Sequence, residues 1–294
     1  MGKRVLTDSE ILAAVSASGS QRKAAAALGI NPRTLERRLA GMSREPSAPR
    51  LLVVDIETRP LLAYTWGMFQ QNIGPAQVVD WGGVLCFAAK WDGGDEMMFY
   101  AEWERGGKER MVRAAHRLLD EADAVVGWNS QRFDTRWFNN EFMRAGMRKP
   151  TPYKNVDLMK SQKANAFMYS NKLESRRRWL GKEGKVETGG FSLWRGCMDG
   201  DREAQRLMEE YNREDAAITQ EELDTMRHGG WVKNLPNRSI GNGHVCPSCG
   251  GDRLQAHKPV ELTTRRYQLW VCQDCGTASR AITADIYRAS LRAA

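Results

Sequence analysis

The distribution of apolar positions divides the chain into strands and helices before any motif is considered. Leu51-Leu52-Val53-Val54 is an unbroken run rich in β-branched residues and continues as Asp55-Ile56-Glu57-Thr58. Such a run predicts a strand covered on both faces. Alternation over residues 78–91 and 96–101 predicts two neighbouring antiparallel strands. Helical spacing follows at 108–121, then the apolar strand Ala124-Val125-Val126-Gly127 and a second helix at 134–145. A short strand at Val156-Asp157-Leu158 precedes a largely helical stretch that includes a long helix from about 201 to 227. Strands first, then helices alternating with strands, predict an α/β domain whose mixed sheet lies between helices.

Smaller patterns flank this domain. Thr7-Asp8-Ser9-Glu10 reads as a capped helix start, with Ile11, Leu12 and Val15 at helical spacing behind it. Gln21-Arg22-Lys23-Ala24-Ala25-Ala26-Ala27-Leu28 is followed by the turn Gly29-Ile30-Asn31 and by Pro32, a residue suited to the first helical position. Residues 43–50 have linker composition. Near the other end, Val260-Glu261-Leu262-Thr263 and Tyr267-Gln268-Leu269-Trp270-Val271 read as strands. The predicted organisation is 1–42, linker 43–50, the α/β domain at 51–230, and a terminal module at 231–294.

Composition adds direction. The 294 residues are 41% hydrophobic, enough for a core, and no apolar stretch approaches the ~20 residues that cross a bilayer. Asp8 and Glu10 stand where a secretory signal would be apolar, so the expectation is a soluble cytoplasmic protein of a prokaryotic or phage-infected cell without a membrane partner. The net charge of +8 favours a polyanionic partner. Of six cysteines, Cys86 and Cys197 read as core thiols, and the other four form two Cys-x-x-Cys pairs.

Asp55 and Glu57, two apart on a strand, point to one side. Unpaired anions at such a place cost several kcal/mol, a cost that bound divalent cations remove. Asn129-Ser130-Gln131-Arg132-Phe133-Asp134 follows the second strand, and Tyr211 and Asp215 share a helix face one turn apart. The ordered set Asp-x-Glu, Asn-x3-Phe-Asp and Tyr-x3-Asp resembles the tyrosine-containing subclass of the DEDD 3′–5′ exonucleases, over residues 51–227. That resemblance implies a ribonuclease-H-like fold and two Mg2+ or Mn2+ ions. It assigns Asp55 to both ions, Glu57 and Asp215 to the nucleophile side, Asp134 to the second ion, and Tyr211 to the attacking water. Asn129 fixes either a local turn or the terminal nucleotide, and Phe133 either packs in the core or lines a base pocket. Tyr64, Trp66 and Met68 either stack on bases or are buried. Asp157 reads as a strand-end residue.

The flanking modules carry resemblances of their own. The N-terminal unit resembles a helix-turn-helix whose second helix would offer Arg33, Thr34, Arg37 and Arg38 to DNA. Cys246, Cys249, Cys272 and Cys275 suit one structural zinc, and the module resembles a zinc ribbon. His244 and His257 are alternative ligands that four cysteines make unnecessary. Residues 172–185 hold six basic against two acidic residues, and Lys172, Arg176, Arg177 and Arg178, with Lys182 and Lys185, are expected to track phosphates. The order of motifs looks like exonucleases encoded by phages and prophages. The expectation is a metal-dependent 3′–5′ exonuclease on single-stranded or duplex 3′ ends, DNA favoured over RNA, with protein partners unspecified. Its rivals are a structure-specific endonuclease on the same fold and a catalytically inactive nucleic-acid-binding regulator.

Overall fold

The computed structural model describes residues 7–18, 20–42, 48–182, 189–262 and 265–283. The chain divides into two compact units, Met1–Ala48 and Pro49–Ala294. In the first, helices α1 (Asp8–Ser18), α2 (Gln21–Ala27) and α3 (Pro32–Met42) enclose Ile11, Ala24, Ala25 and Leu35. Thr7 and Glu10 cap α1 reciprocally: the Glu10 N–H donates to the Thr7 hydroxyl and the Thr7 N–H to the Glu10 carboxylate. Arg33 is exposed, whereas the side chains of Arg37 and Arg38 lie outside the described residues.

The second unit is built around an α/β fold with a mixed sheet. Its strands are β1 (Leu51–Arg59), β2 (Leu62–Ala63), β3 (Val78–Asp80), β4 (Gly83–Trp91), β5 (Met97–Ala101), β6 (Ala124–Gly127) and β7 (Lys154–Asp157). Five of these form one sheet in the order β5-β4-β1-β6-β7. β6 and β7 run parallel to β1, while β4 runs antiparallel to β1 and to β5. The short β2–β3 pair stands apart in the connection between β1 and β4.

Period-two alternation in β1 decides what each face meets. Leu52, Val54 and Ile56 pack into a core with α4 (Gly107–Glu121) and α5 (Asp134–Arg144), through Leu118, Phe138 and Phe142 among others. Leu51 and Val53 turn the other way, onto Leu223 and Met226 of the long helix α9 (Arg202–Arg227). Asp55 and Glu57 continue that second face. The run is therefore covered on both sides, as its composition predicts. Helices α6 (Leu158–Asn165), α7 (Leu173–Trp179) and α8 (Phe191–Asp199) complete the unit. Cys86 and Cys197 are buried together between β4 and α8, as core thiols.

The basic run differs from expectation at two residues. Arg176 and Arg177 are buried, and their guanidinium groups pair with Glu222 and Glu221 of α9 at 2.6 Å each. Docking α7 on α9 directs these cations into the protein, where Lys182 joins Glu221 at 2.9 Å. They hold two helices together rather than facing phosphate. Arg178 and Lys172 are exposed, Arg178 pairing with Glu174 one turn away, and Lys185 lies outside the described residues.

After α9 come β8 (Leu254–Leu262), β9 (Arg265–Cys272) and β10 (Ala278–Arg280), an antiparallel sheet in the order β10-β9-β8. Asp92, at the end of β4, accepts from Arg227 at 2.7 Å and Arg238 at 3.3 Å, tying α9 and the following segment to the main sheet. Among the described residues, no helix is long and apolar enough to cross a membrane.

Candidate metal centres and active site

The carboxylates of Asp55, Glu57 and Asp215 come together with an oxygen of each within 4.8 Å of the others. Two arrive on one face of β1, and the third arrives because α9 lays its buried stripe (Met208, Asn212, Asp215, Thr219, Leu223 and Met226 among them) along that face. Asp215 is 2% exposed, and Asp55 and Glu57 are half-buried. Three carboxylates so close repel strongly in a medium of reduced dielectric. An all-oxygen donor set of this charge fits a hard divalent cation and relieves the repulsion.

Asp134 is placed differently. β6 pairs with β1 only as far as Val53, so the edge of β1 beyond it is open toward the 128–134 loop. There the Asp134 carboxylate, in the first turn of α5, accepts from its own backbone N–H and from that of Ile56, between the two motif residues. It reaches β1 from the α5 side and is not one of the three converging oxygens. Burial pushes its pKa up to about 7, with the nearby Asp157 adding to the rise. Asp157 itself caps α6, accepting from the Lys160 N–H at 3.0 Å, so the strand-end reading holds.

A folded pKa raised above the ordinary ~3.9 has a definite sign. The folded, metal-free protein keeps a proton that the unfolded chain has lost. That stability is fully present below about pH 4 and is lost as pH rises through about 7, on the order of 4 kcal/mol at most. Chelator-treated protein is therefore expected to melt lower at pH 8 than at pH 5. Asp134→Asn should flatten this slope, and a divalent cation should restore stability at the higher pH. An identical slope in wild type and variant, followed by calorimetry, would contradict the assignment.

Tyr211 stands one turn before Asp215 and donates its hydroxyl to that carboxylate. Its ring meets Trp194 edge-on, with centroids 6.2 Å apart. Burial first, then the charges of Asp215 and Glu57, drive the phenol pKa far above its ordinary value. In the metal-free protein the group is a hydroxyl donor and not a base.

Asn212 belongs to the site although no spacing argument singles it out. It is fully buried, and its Nδ2 donates to the Asp55 carboxylate at 2.9 Å and to the Asp55 carbonyl at 3.2 Å. An asparagine beside a motif tyrosine is unremarkable in sequence; only the packing of α9 on β1 gives it a task. Groups that orient metal ligands contribute roughly 10–100-fold to metal affinity. Asn212→Ala should therefore weaken Mn2+ binding by about ten-fold or more, measured by titration calorimetry, and unchanged affinity would remove Asn212 from the site.

The loop after β6 shows why Asn129 occupies its position. Gly127 leaves no room for a side chain: a Cβ there would lie 2.6 Å from Ser130 Cβ and 3.1 Å from the Val54 carbonyl oxygen. The chain then turns through Asn129 at φ +65°, and the Asn129 carbonyl accepts from the Arg132 and Phe133 N–H groups. Asparagine tolerates this left-handed conformation. Its Oδ1 is buried without a hydrogen-bond partner, as is Oδ1 of Asn212. The turn is thus held by the Asn129 backbone carbonyl, and the side-chain oxygen takes no part in it. Phe133 is 41% exposed, against Trp137 edge-on, and is not a core residue. Tyr64, Trp66 and Met68 are exposed as well, which removes ordinary burial as their explanation.

The four paired cysteines converge separately, with sulfurs within 4.8 Å of one another. Cys246 and Cys275 are 3.6 Å apart at sulfur, as are Cys249 and Cys272. A disulfide would require about 2.05 Å, whereas tetrahedral coordination at ~2.3 Å per sulfur requires ~3.8 Å between sulfurs. The cage fits a metal. Each knuckle closes through a glycine at positive φ, Gly250 donating to the Cys246 carbonyl and Gly276 to that of Cys272, both at 2.9 Å. Burial raises the Cys249 thiol to about 12, a cost that a thiolate-binding cation reverses. His244 instead packs edge-on against Trp270.

The match to a family model agrees with this architecture. Residues 82–226 match the family model described as the RNase_H superfamily, a span that includes Asp134, Tyr211 and Asp215 and begins after Asp55 and Glu57. A solved structure, the family B DNA polymerase from the hyperthermophilic archaeon Pyrobaculum calidifontis, is similar at 15% identity and a TM-score of 0.45, over 74% of this chain and 32% of the polymerase. The chain thus spans about a third of that polymerase's length. No curated protein matches the sequence. Fold, family match and clustered carboxylates together support a nuclease of the RNase-H-like fold.

Proposed function

We propose that this protein is a metal-dependent 3′–5′ exonuclease that releases nucleoside 5′-monophosphates from nucleic-acid ends, with DNA the favoured polymer. The observation that carries the reading is the meeting of Asp55, Glu57 and Asp215 between β1 and α9, with Tyr211 one turn away. Asp55, Glu57 and Asp215 would hold one Mg2+ or Mn2+, and Asp134, from the open edge of β1, would help to hold a second. When bound, such ions neutralise charge on the phosphoryl group and lower the pKa of water. The chain's own groups do the rest. Asn212 fixes the Asp55 carboxylate, the Tyr211 hydroxyl orients a water molecule for attack, and Asn129 and Phe133 seat the terminal nucleotide.

The cysteine cage would hold one structural Zn2+ and the first unit would contact duplex DNA through Arg33 and its neighbours on α3. The test is digestion of 5′-end-labelled single-stranded DNA, duplex DNA and RNA with Mg2+, Mn2+ or chelator. A ladder shortening from the 3′ end only when cation is present is the expected result. Cuts within circular single-stranded DNA would replace the exonuclease by an endonuclease, and absence of any cleavage with intact binding would favour the regulator.

A further inference from the structure

The connection from β1 to β4 inverts the usual arrangement of an ordered loop. Residues 60–79 contain no charged side chain. Their polar groups bind the loop to itself: the Tyr64 N–H donates to the Gln77 carbonyl at 2.9 Å, Gln77 Nε2 to the Tyr64 carbonyl at 2.9 Å, and the Gly74 N–H to Gln77 Oε1 at 2.8 Å. Its base is fixed by Arg59 to Asp80 at 3.0 Å and by Arg144 to the Gly82 carbonyl at 2.8 Å. The aromatic side chains are what remains outside. Trp66 is 100% exposed, Phe69 81% and Tyr64 78%. A loop that turns the polar groups of Tyr64, Gly74 and Gln77 inward on itself while its rings face water presents those rings.

A second loop, 166–172, also carries exposed rings. Trp128 Nε1, at the end of β6, donates to the Asn171 carbonyl at 2.9 Å and pins the loop, while Phe167 and Tyr169 extend into solvent as an edge-on pair with centroids 5.4 Å apart. Because β1, β6 and β7 are parallel, their C-terminal ends lie at one edge of the sheet. The 60–82 connection leaves β1 there, two residues beyond Glu57, and the 128–133 loop leaves β6 there, carrying Phe133 into Asp134. The second aromatic loop is tied to that same 128–133 loop through Trp128. Exposed cations stand among the rings: Arg132 and Arg136 beside Phe133, and Lys172 at the end of the second loop.

Aromatic faces interleaved with cations next to a carboxylate centre match one ligand class. A protein or lipid partner uses the apolar area but has no need of guanidinium groups beside an acidic site. A duplex keeps its base faces stacked on each other. An unpaired strand offers both free base faces and a phosphate chain. We propose that the 60–82 and 166–172 loops form a stacking platform for single-stranded nucleic acid several nucleotides long, leading its 3′ end to the carboxylates. This rests on the exonuclease reading and specifies its substrate: an unpaired 3′ segment, held through base faces with little regard to the sugar.

Two readouts separate the platform from the active site. Binding of fluorescent dT20, rU20 and a blunt 20-base-pair duplex is measured by anisotropy in chelator, for the full chain and for Trp66→Ala and Tyr169→Ala. Hydrolysis of the p-nitrophenyl ester of thymidine 5′-monophosphate, too small to reach the loops, is measured with Mn2+. Each variant is expected to bind both single strands roughly ten-fold more weakly, with duplex binding and ester hydrolysis unchanged. Both side chains are fully exposed, so neither substitution should disturb folding. Unchanged single-strand affinity in both variants, or an equal loss on duplex, would overturn the platform even if the ester is hydrolysed. So would an effect confined to self-association. Ring-dependent strand binding without hydrolysis of ester or strand would leave the platform standing and remove the exonuclease.

Discussion

Asp55→Ala is expected to lower single-strand hydrolysis by about 10^3-fold or more while leaving the fold intact, because several kcal/mol of transition-state stabilisation in such sites depends on bound cations. Asp55 is the member of the trio that Asn212 grips, and its carboxylate converges with those of Asp215 on α9 and Glu57 on its own strand. Its removal takes one of three converging charges and leaves the Asn212 amide without its carboxylate acceptor. Mn2+ titration should show the loss directly. The metal-free variant should melt no lower than wild type, and relief of repulsion favours a small increase. Single-strand binding in chelator should persist, since the aromatic loops are untouched. Cleavage retained at near wild-type rate would mean that the chemistry lies elsewhere.

The second large effect concerns the terminal ribbon. Of the residues in β8 and β9, only Tyr267 and Cys272 are buried, so the sheet has almost no apolar core of its own. Zinc bound to a cage of this kind contributes apparent binding free energies of about 10–16 kcal/mol to folding. Replacing Cys246 and Cys272 by serine should abolish a stoichiometry of about one zinc per chain and expose the ribbon amides to hydrogen exchange. The central sheet, held by separate cores, should keep its protection. Some coupling is expected at the seam, where the Gly229 N–H after α9 donates to the Cys275 carbonyl and Asp92 holds Arg227 and Arg238. Ribbon amides that stay protected in the double variant, with no metal bound, would refute this account.

Much of the protein is legible from residue order alone. The β1 run announces a strand buried on both faces because β-branched density and period are local properties, and the Thr7 cap and the glycine-closed cysteine knuckles are local too. The ordered motifs single out Asp55 and Glu57, which strand period puts on one face, and Tyr211 and Asp215, which lie one helical turn apart; the packing of α9 on β1 then brings the three carboxylates together. Residue types at given spacings determine which side chains share a face.

What faces meet is another matter. Arg176 and Arg177 look like a phosphate track in sequence, yet α7 docking on α9 turns them inward to Glu222 and Glu221. Asp134 matches its motif but approaches β1 from the α5 side, taking the Ile56 N–H, because β6 departs after Val53 and opens that edge. Asn212 gains its role only when α9 lies across Asp55, and Trp66 and Tyr169 are distinguishable from core aromatics only once the loops have folded with those rings outside. Strand and helix periods are written within a few residues. Contact between elements tens to more than a hundred residues apart depends on packing, and that packing alone assigned these side chains their surroundings.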